Sequence, residues 1–263
     1  MASSTVRHPK NIPDAQGPAA AKPFLLALLD SSVGAKVLVA LTGLGLAGFA
    51  VIHMIGNLKV FSGPDSINAY AAFLKHDLGA LIWIARAGLL GVFLLHLALA
   101  IRLTLRTRAA RPVPYAHPGR VQATAASRTM IWSGAVVGLF MLFHLAHFTL
   151  LGFQQVEVGS GKMVPVLELK DAKGRHDVYS MVVAGFTTPW LCLLYIAGQV
   201  VLFVHLLHGV QSAFQTLGLK NKRFAPLIRL LGVAVAATIL VGNLVIVIGI
   251  WAGAVPPISS MAR

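Results

Sequence analysis

The octapeptide Ala50-Val51-Ile52-His53-Met54-Ile55-Gly56-Asn57 places an imidazole near the far end of a run of apolar and glycine residues that begins at Val37. Such runs recur. Of the 263 residues, 57% are hydrophobic and only 11% charged, less than half the ~25% of a soluble domain. Five apolar stretches, at about 33–57, 79–105, 127–151, 183–216 and 227–254, approach or exceed the ~20 residues that carry a helix across a bilayer. The expectation is an all-α membrane protein, five transmembrane helices in an up-down bundle. An ionisable side chain inside such a helix is costly and has a specific partner. The histidines therefore decide the reading.

A net charge of +14 would suit a nucleic-acid binder, but topology accounts for it. The 102–128 connection carries Arg102, Arg106, Arg108, Arg111, Arg120 and Arg128 with no acid, and 216–229 carries Lys220, Lys222, Arg223 and Arg229 with none. Between them, the 58–79 and 152–185 connections balance acids against bases: Lys59 and Lys75 with Asp65 and Asp77, then Lys162, Lys170, Lys173 and Arg175 with Glu157, Glu168, Asp171 and Asp177. The positive-inside bias puts the N-terminus and the two basic connections in the cytoplasm, and five spans then leave the C-terminus outside.

The connections read simply. Residues 1–30 form a cytoplasmic tail, rich in Pro, Ala and Ser to residue 22 without a signal peptide's apolar core, then a short interfacial helix over Phe24 to Leu29. Residues 31–254 form the membrane domain and 255–263 an external tail. Ser31 and Ser32 are N-caps for the first span. Gly63-Pro64 marks a turn, and Ile67 to His76 an amphipathic helix. Pro112, Pro114 and Pro118 place a loop at 107–122, and the alternation around Val156-Glu157-Val158 and Met163 to Leu169 suggests an external hairpin. Cys192 is the single cysteine, so the chain has neither a disulfide nor an iron–sulfur cluster of its own.

From Lys36 to His53, Gly79 to His96, Arg128 to His144 and Thr188 to His205 the count is about 16–17 residues, roughly 25 Å of helix. Successive helices run in opposite directions, so equal counts mean opposite depths. His53 and His144 lie outward, His96 and His205 toward the cytoplasm. Taken singly, each is a packing or proton-relay residue; paired by depth, they suit two six-coordinate b-type haems. His147 and His208 each follow a proposed ligand by three residues, near the same helix face, and are alternates. Gly43, Gly45 and Gly48 let either a neighbouring helix or a flat cofactor approach the backbone, and with Gly134 and Gly138 they can provide a haem's slot. Lys59 and Arg86 outside, and Arg102 and Arg106 inside, are candidates for its propionates, or else snorkel to the headgroups.

The chain resembles the cytochrome b subunit of the succinate dehydrogenase/fumarate reductase (succinate:quinone oxidoreductase) family, in its five-helix, single-anchor, two-haem form. Carrying the resemblance are Ser31-Ser32-Val33-Gly34, His53-Met54-Ile55-Gly56-Asn57-Leu58, Ile67-Asn68-Ala69-Tyr70-Ala71-Ala72-Phe73-Leu74, the stretch from Asp177 to Val183, and His205-Leu206-Leu207-His208-Gly209-Val210-Gln211-Ser212-Ala213-Phe214-Gln215-Thr216-Leu217-Gly218. The resemblance implies axial ligands at His53 and His144 for an outer, distal haem and at His96 and His205 for an inner, proximal one, with His208 beside a propionate. The two haems differ in depth by roughly 10–15 Å. The resemblance further implies electron transfer between succinate or fumarate and a quinone, menaquinone by analogy, in the inner membrane of a prokaryote. FAD and iron–sulfur clusters belong to a flavoprotein subunit and an iron–sulfur subunit docked on the basic cytoplasmic face. For the quinone site the candidates are Asp77, His76, Tyr70 and Asn68 outside, with Ser31, Ser32 and Lys36 inside.

Two other readings share part of the pattern: the di-haem cytochrome b subunit of a formate dehydrogenase or hydrogenase, and a haem-free proton-relay protein. The pairing itself is open to test. His53→Ala is expected to abolish the outer haem's absorption and spare the inner one; survival of both signals would refute the pairing.

Overall fold

Ser31 opens the first long helix. Its extended backbone (φ −75°, ψ 143°) puts Oγ where it accepts a hydrogen bond from the Gly34 amide at 2.8 Å, satisfying a donor that the first helical turn leaves unpaired. Ser32 is the first helical residue, not a second cap. The computed structural model describes residues 23–110, 128–158, 161–256 and 258. The expectations for the tail 1–22, the 111–127 part of the Pro-rich connection and residues 259–263 lie outside the described residues.

In chain order the elements are α1 (Phe24–Asp30), α2 (Ser32–Asn57), α3 (Pro64–Ala72, prolonged by a π-turn Phe73–Asp77), α4 (Ala80–Ala109), α5 (Met130–Leu145, prolonged by a π-turn Ala146–Leu150), β1 (Gln155–Val158), β2 (Lys162–Pro165), α6 (Val178–Gly185), α7 (Pro189–Thr216) and α8 (Ala225–Trp251). Five stretches, Ser32–Ser62, Ala80–Ala109, Met130–Leu150, Pro189–Thr216 and Ala225–Trp251, are long and apolar enough to cross a membrane. This is a multi-pass membrane protein. Large apolar side chains such as Trp83, Trp132, Leu139 and Trp190 stand exposed on these helices, as a lipid-facing surface requires.

The fourth span is shorter than hydropathy suggests. Val178–Gly185 forms a helix of its own, and the span restarts at Pro189 after Phe186, Thr187 and Thr188. Thr188 is extended (φ −92°, ψ 114°), because the ring of a following proline disfavours helical backbone before it. Pro189 then sits at the first turn, where a missing N–H costs nothing. The short α3 likewise begins at a proline, Pro64, three residues earlier than the amphipathic pattern suggests. The hairpin forms as expected: β1 and β2 are antiparallel, with Gln155 opposite Pro165 and Val158 opposite Lys162.

Packing centres on α7, which lies most extensively against α8 and also against α2 and α5, while α2 also lies against α4 and α8. Ala47 of α2 and Ala236 of α8 meet Leu206, Val210 and Ile239 in one apolar cluster; small residues let membrane helices approach. A second cluster, at the hairpin end, gathers Val60, Ile67, Val166, Tyr179, Ile246 and Ile250. There α6 is buried from Tyr179 to Gly185. Asn68 ties this end together. Its amide donates to Asp177 Oδ1 (3.0 Å) and Asp171 Oδ2 (3.4 Å), and its Oδ1 accepts from the Tyr179 amide (2.9 Å). Arg175 bridges Asp65 and Asp171, and Lys173 also reaches Asp65. At the opposite, basic end, Arg102 donates to the Leu29 carbonyl and Asp30, and Arg106 to the Asp30 carbonyl, holding the last turn of α1.

Hydrogen bonds from Lys173 and Arg175 hold the Asp65 carboxyl below its ordinary range. For Asp171 burial acts the other way, but hydrogen bonds from Arg175 and the Lys173 amide prevail and hold it low too. A depressed folded-state value means stability that is present above the ordinary carboxylate range and lost as pH falls through the folded value. Hydrogen exchange in 161–177, corrected for intrinsic rate, is therefore expected to be constant from pH 7 to 5 and to accelerate below pH ~4. Asn68→Ala should accelerate it at every pH, at a cost of roughly 2–3 kcal/mol from orphaned buried partners. A flat profile in both proteins would contradict the clamp.

Candidate functional site

The histidines sort into two levels along the helices. Near the basic end, Thr42 of α2 directs its single hydroxyl proton to the Leu38 carbonyl at 2.6 Å. Toward His96 Nδ1 of α4, 3.1 Å away, it can then only accept. The network thus assigns the His96 proton to Nδ1 and leaves the Nε2 lone pair free. Ser133 of α5 repeats the device, with Oγ bonded to the Met130 carbonyl at 3.2 Å and lying 3.1 Å from His205 Nδ1 of α7. Each hydroxyl is followed by a glycine. A Cβ on Gly43 would stand 3.1 Å from His96 Cε1, and one on Gly134 3.3 Å from His205 Cε1, so both rings lie close against a neighbouring helix. His96 and His205 are near enough to interact electrostatically.

Nearer the hairpin end, the rings of His53 (α2) and His144 (α5) meet edge to face, centroids 5.8 Å apart and planes at 87°. Asn57, one turn on, bonds His53 Nε2 at 3.1 Å. His144 Nδ1 lies 3.3 Å from the Tyr195 hydroxyl of α7, which also bonds His147 Nδ1 at 2.9 Å. The other nitrogen of His147 meets the Gln154 side-chain amide. His147 is 0% exposed and has no nitrogen to spare, whereas His144 keeps Nε2 free. Phe49 stacks on His53, and Phe140 and Phe148 flank His144.

Thr42 precedes His53 by 11 residues, and Ser133 precedes His144 by 11. Eleven residues are close to three full turns, so each pair shares a face, and the two levels stand ~16 Å apart. That is slightly more than the depth difference expected from counting. An added Cβ on Gly45, Gly48 or Gly138 would touch nothing within 4 Å, and Leu99 is the one buried residue of α4. Among the described residues no group of three or more His, Cys, Asp and Glu is gathered to hold a bare ion. Imidazoles in pairs, with no carboxylate or thiolate beside them, are a donor set that suits a metal bringing its own equatorial donors. At the level near the basic end, both imidazoles leave Nε2 unengaged, the donor atom that a haem iron takes. At the other level, Asn57 occupies His53 Nε2 and would have to release it before that nitrogen could ligate.

The remaining candidates fall in distinct places. Arg102 and Arg106 are engaged with α1, and Lys59 and Arg86 sit over the Tyr70 and Trp83 rings at 5.4 and 5.0 Å. His208, half-buried, lies a turn from His205 within electrostatic reach of Lys220. Asn68 is consumed by the clamp and Ser31 by its cap, while His76 and Asp77 are exposed on the π-turn. Tyr70 packs on Gly56, one turn beyond His53. Tyr195, Gln154, Thr42, Ser133 and Asn57 are absent from the sequence-derived set. The repeated hydroxyl-glycine step eleven residues before a histidine was a signal for two of them; Tyr195 and Gln154 had none.

Comparison with protein-family models, with curated proteins and with solved structures finds no match.

Tyr195→Phe leaves the buried His147 Nδ1 without a partner and is expected to cost roughly 1–3 kcal/mol. Adding His147→Phe should recover part of that loss, because the fully buried orphan is gone and the groups still unpaired, the Gln154 amide and His144 Nδ1, are less buried. Denaturant unfolding in detergent measures both; strictly additive costs would dissolve the network.

Proposed function

We propose that this chain is the di-haem cytochrome b anchor of a succinate:quinone oxidoreductase. The observation that carries the reading is the pairing of four histidines at two levels, one pair with its Nδ1 protons fixed by Thr42 and Ser133. In this reading the five helices alternate up and down through a prokaryotic inner membrane with the basic end in the cytoplasm. The iron–sulfur subunit docks at that end, with the flavoprotein subunit beyond it.

His96 and His205 hold the inner haem b, His53 and His144 the outer one. Haem held by such histidine pairs would supply reversible one-electron transfer. Thr42 and Ser133 keep Nε2 of the inner ligands unprotonated and make it a more basic donor. Tyr195 orients His144, Phe49 stacks on His53, and Phe140 and Phe148 flank His144. Quinone reduction needs a proton donor within reach. Of the outer candidates, Tyr70 is the best placed, against Gly56 and under Lys59, with His76 and Asp77 as exposed sources of protons. A quinone at that level couples the reaction to the membrane potential at ~2.3 kcal/mol per electron per 100 mV.

One specific feature favours a second reading. The continuous chain Gln154–His147–Tyr195–His144 would serve a haem-free proton relay, though it leaves the other histidine pair without a role.

An absorption spectrum of the purified protein separates the two. Soret and α bands at two haems per chain, reducible by succinate when the partner subunits are present, are the expected result. A ratio far from two, or a molybdenum or nickel partner, would overturn the proposal. Thr42→Val and Ser133→Ala should each raise one haem's midpoint potential by roughly 20–40 mV, since a less basic imidazole favours the ferric state less.

A further inference from the structure

At the basic end a cleft of about 610 Å³ opens between the last turns of α7 and the start of α8. Gln211, Lys220, Lys222 and Arg229 line one part of it, Leu230 and Val233 another. Lys222 and Arg229 have no hydrogen-bond or ion-pair partner among the described residues, and Lys220 reaches only Gln215 Oε1, at 3.4 Å. No acid occurs anywhere in 216–229. Three cations thus converge on one cleft with nothing among the described residues to neutralise them, an arrangement that self-repulsion opposes and an entering anion would relieve.

We propose that this cleft binds the phosphate headgroup of an anionic phospholipid, with an acyl chain lying along α8. The apolar wall decides the kind of ligand. Val233 is four residues past Arg229, hence ~6 Å deeper toward the hydrocarbon. Leu230 and Val233 are 65% and 41% exposed on that course. A free phosphate would leave this wall unused, and a soluble subunit docking from the water would stop at the headgroup level. A phospholipid satisfies both halves, its phosphate on Lys222 and Arg229 and its chain against Leu230 and Val233. Basic pockets between membrane helices bind anionic headgroups by this combination. The cleft comes within electrostatic reach of His208 through Lys220, but the lipid phosphate is placed on Lys222 and Arg229, and no haem ligand lines the cleft.

The test uses the full chain, with whatever subunits accompany it, purified in detergent and titrated with phosphatidylglycerol or with phosphatidylcholine of the same acyl length. Native mass spectrometry counts the lipid retained. Expected is one phosphatidylglycerol per chain, held about tenfold or more tightly than phosphatidylcholine. K222Q/R229Q should abolish that preference, K222R/R229K should keep it, and K162Q/K170Q at the hairpin end should leave it unchanged. If K222Q/R229Q fails to fold, the single R229Q variant and the loss of preference with added salt in the native chain provide the same readout. Equal retention of the two lipids overturns the proposal. So does displacement of phosphatidylglycerol by an equal concentration of inorganic phosphate, which would mark a free-anion site. Loss of a soluble subunit from K222Q/R229Q with lipid retention unchanged would assign the cleft to a protein partner and also overturn it.

Discussion

A hydroxyl that has already donated its proton to its own helix controls the histidine across from it. Thr42 gives its proton to the Leu38 carbonyl and so can only accept from His96; Ser133 does the same for His205. This constraint sets the tautomer, aims the free nitrogen and holds each ring against a glycine on the neighbouring helix. A bulkier residue at Gly43 or Gly134 would push the ring away, and an apolar one at Thr42 or Ser133 would let the proton wander between nitrogens. The two contacts join helices across the interior, α2 to α4 and α5 to α7.

The two histidine levels are built differently, and the difference has a physical reason. Near the basic end the imidazoles are held by short hydroxyls attached to rigid helix, so their position is set before any ligand arrives. Near the hairpin end Asn57 engages His53, and the longer Tyr195 bridges His144 to His147. These partners can release or turn. In the proposed electron-transfer role, the preset pair faces the incoming electron, and the adjustable pair faces the side where quinone and protons meet.

Each end of the assembly is closed by its own polar clamp. Asn68, Asp171, Asp177 and Arg175 lock α3 to the loop that follows the hairpin and to buried α6. Arg102 and Arg106 hold the last turn of α1. Residues that looked available for a cofactor or substrate, Asn68 and the two arginines among them, are therefore taken up by structure. Such residues are polar, stand at the membrane edge and match a binding pattern, yet their nearest partners come from segments distant in sequence.

By itself the sequence determined the number of spans, the asymmetry of charge between the two ends and the grouping of histidines by depth. All three depend on rise per residue and on the cost of polar groups in hydrocarbon, which are local or additive. Even the break before α7 was written in Pro189, though hydropathy alone ran across it. Only the tertiary structure decided which hydrogen bond each imidazole makes, that His147 is sealed between Tyr195 and Gln154 while His144 keeps a free nitrogen, and that Asn68 serves as a staple. Residues three apart on one helix have nearly the same depth and composition around them. What separates their roles is a contact from another helix, and no spacing within one chain segment encodes it.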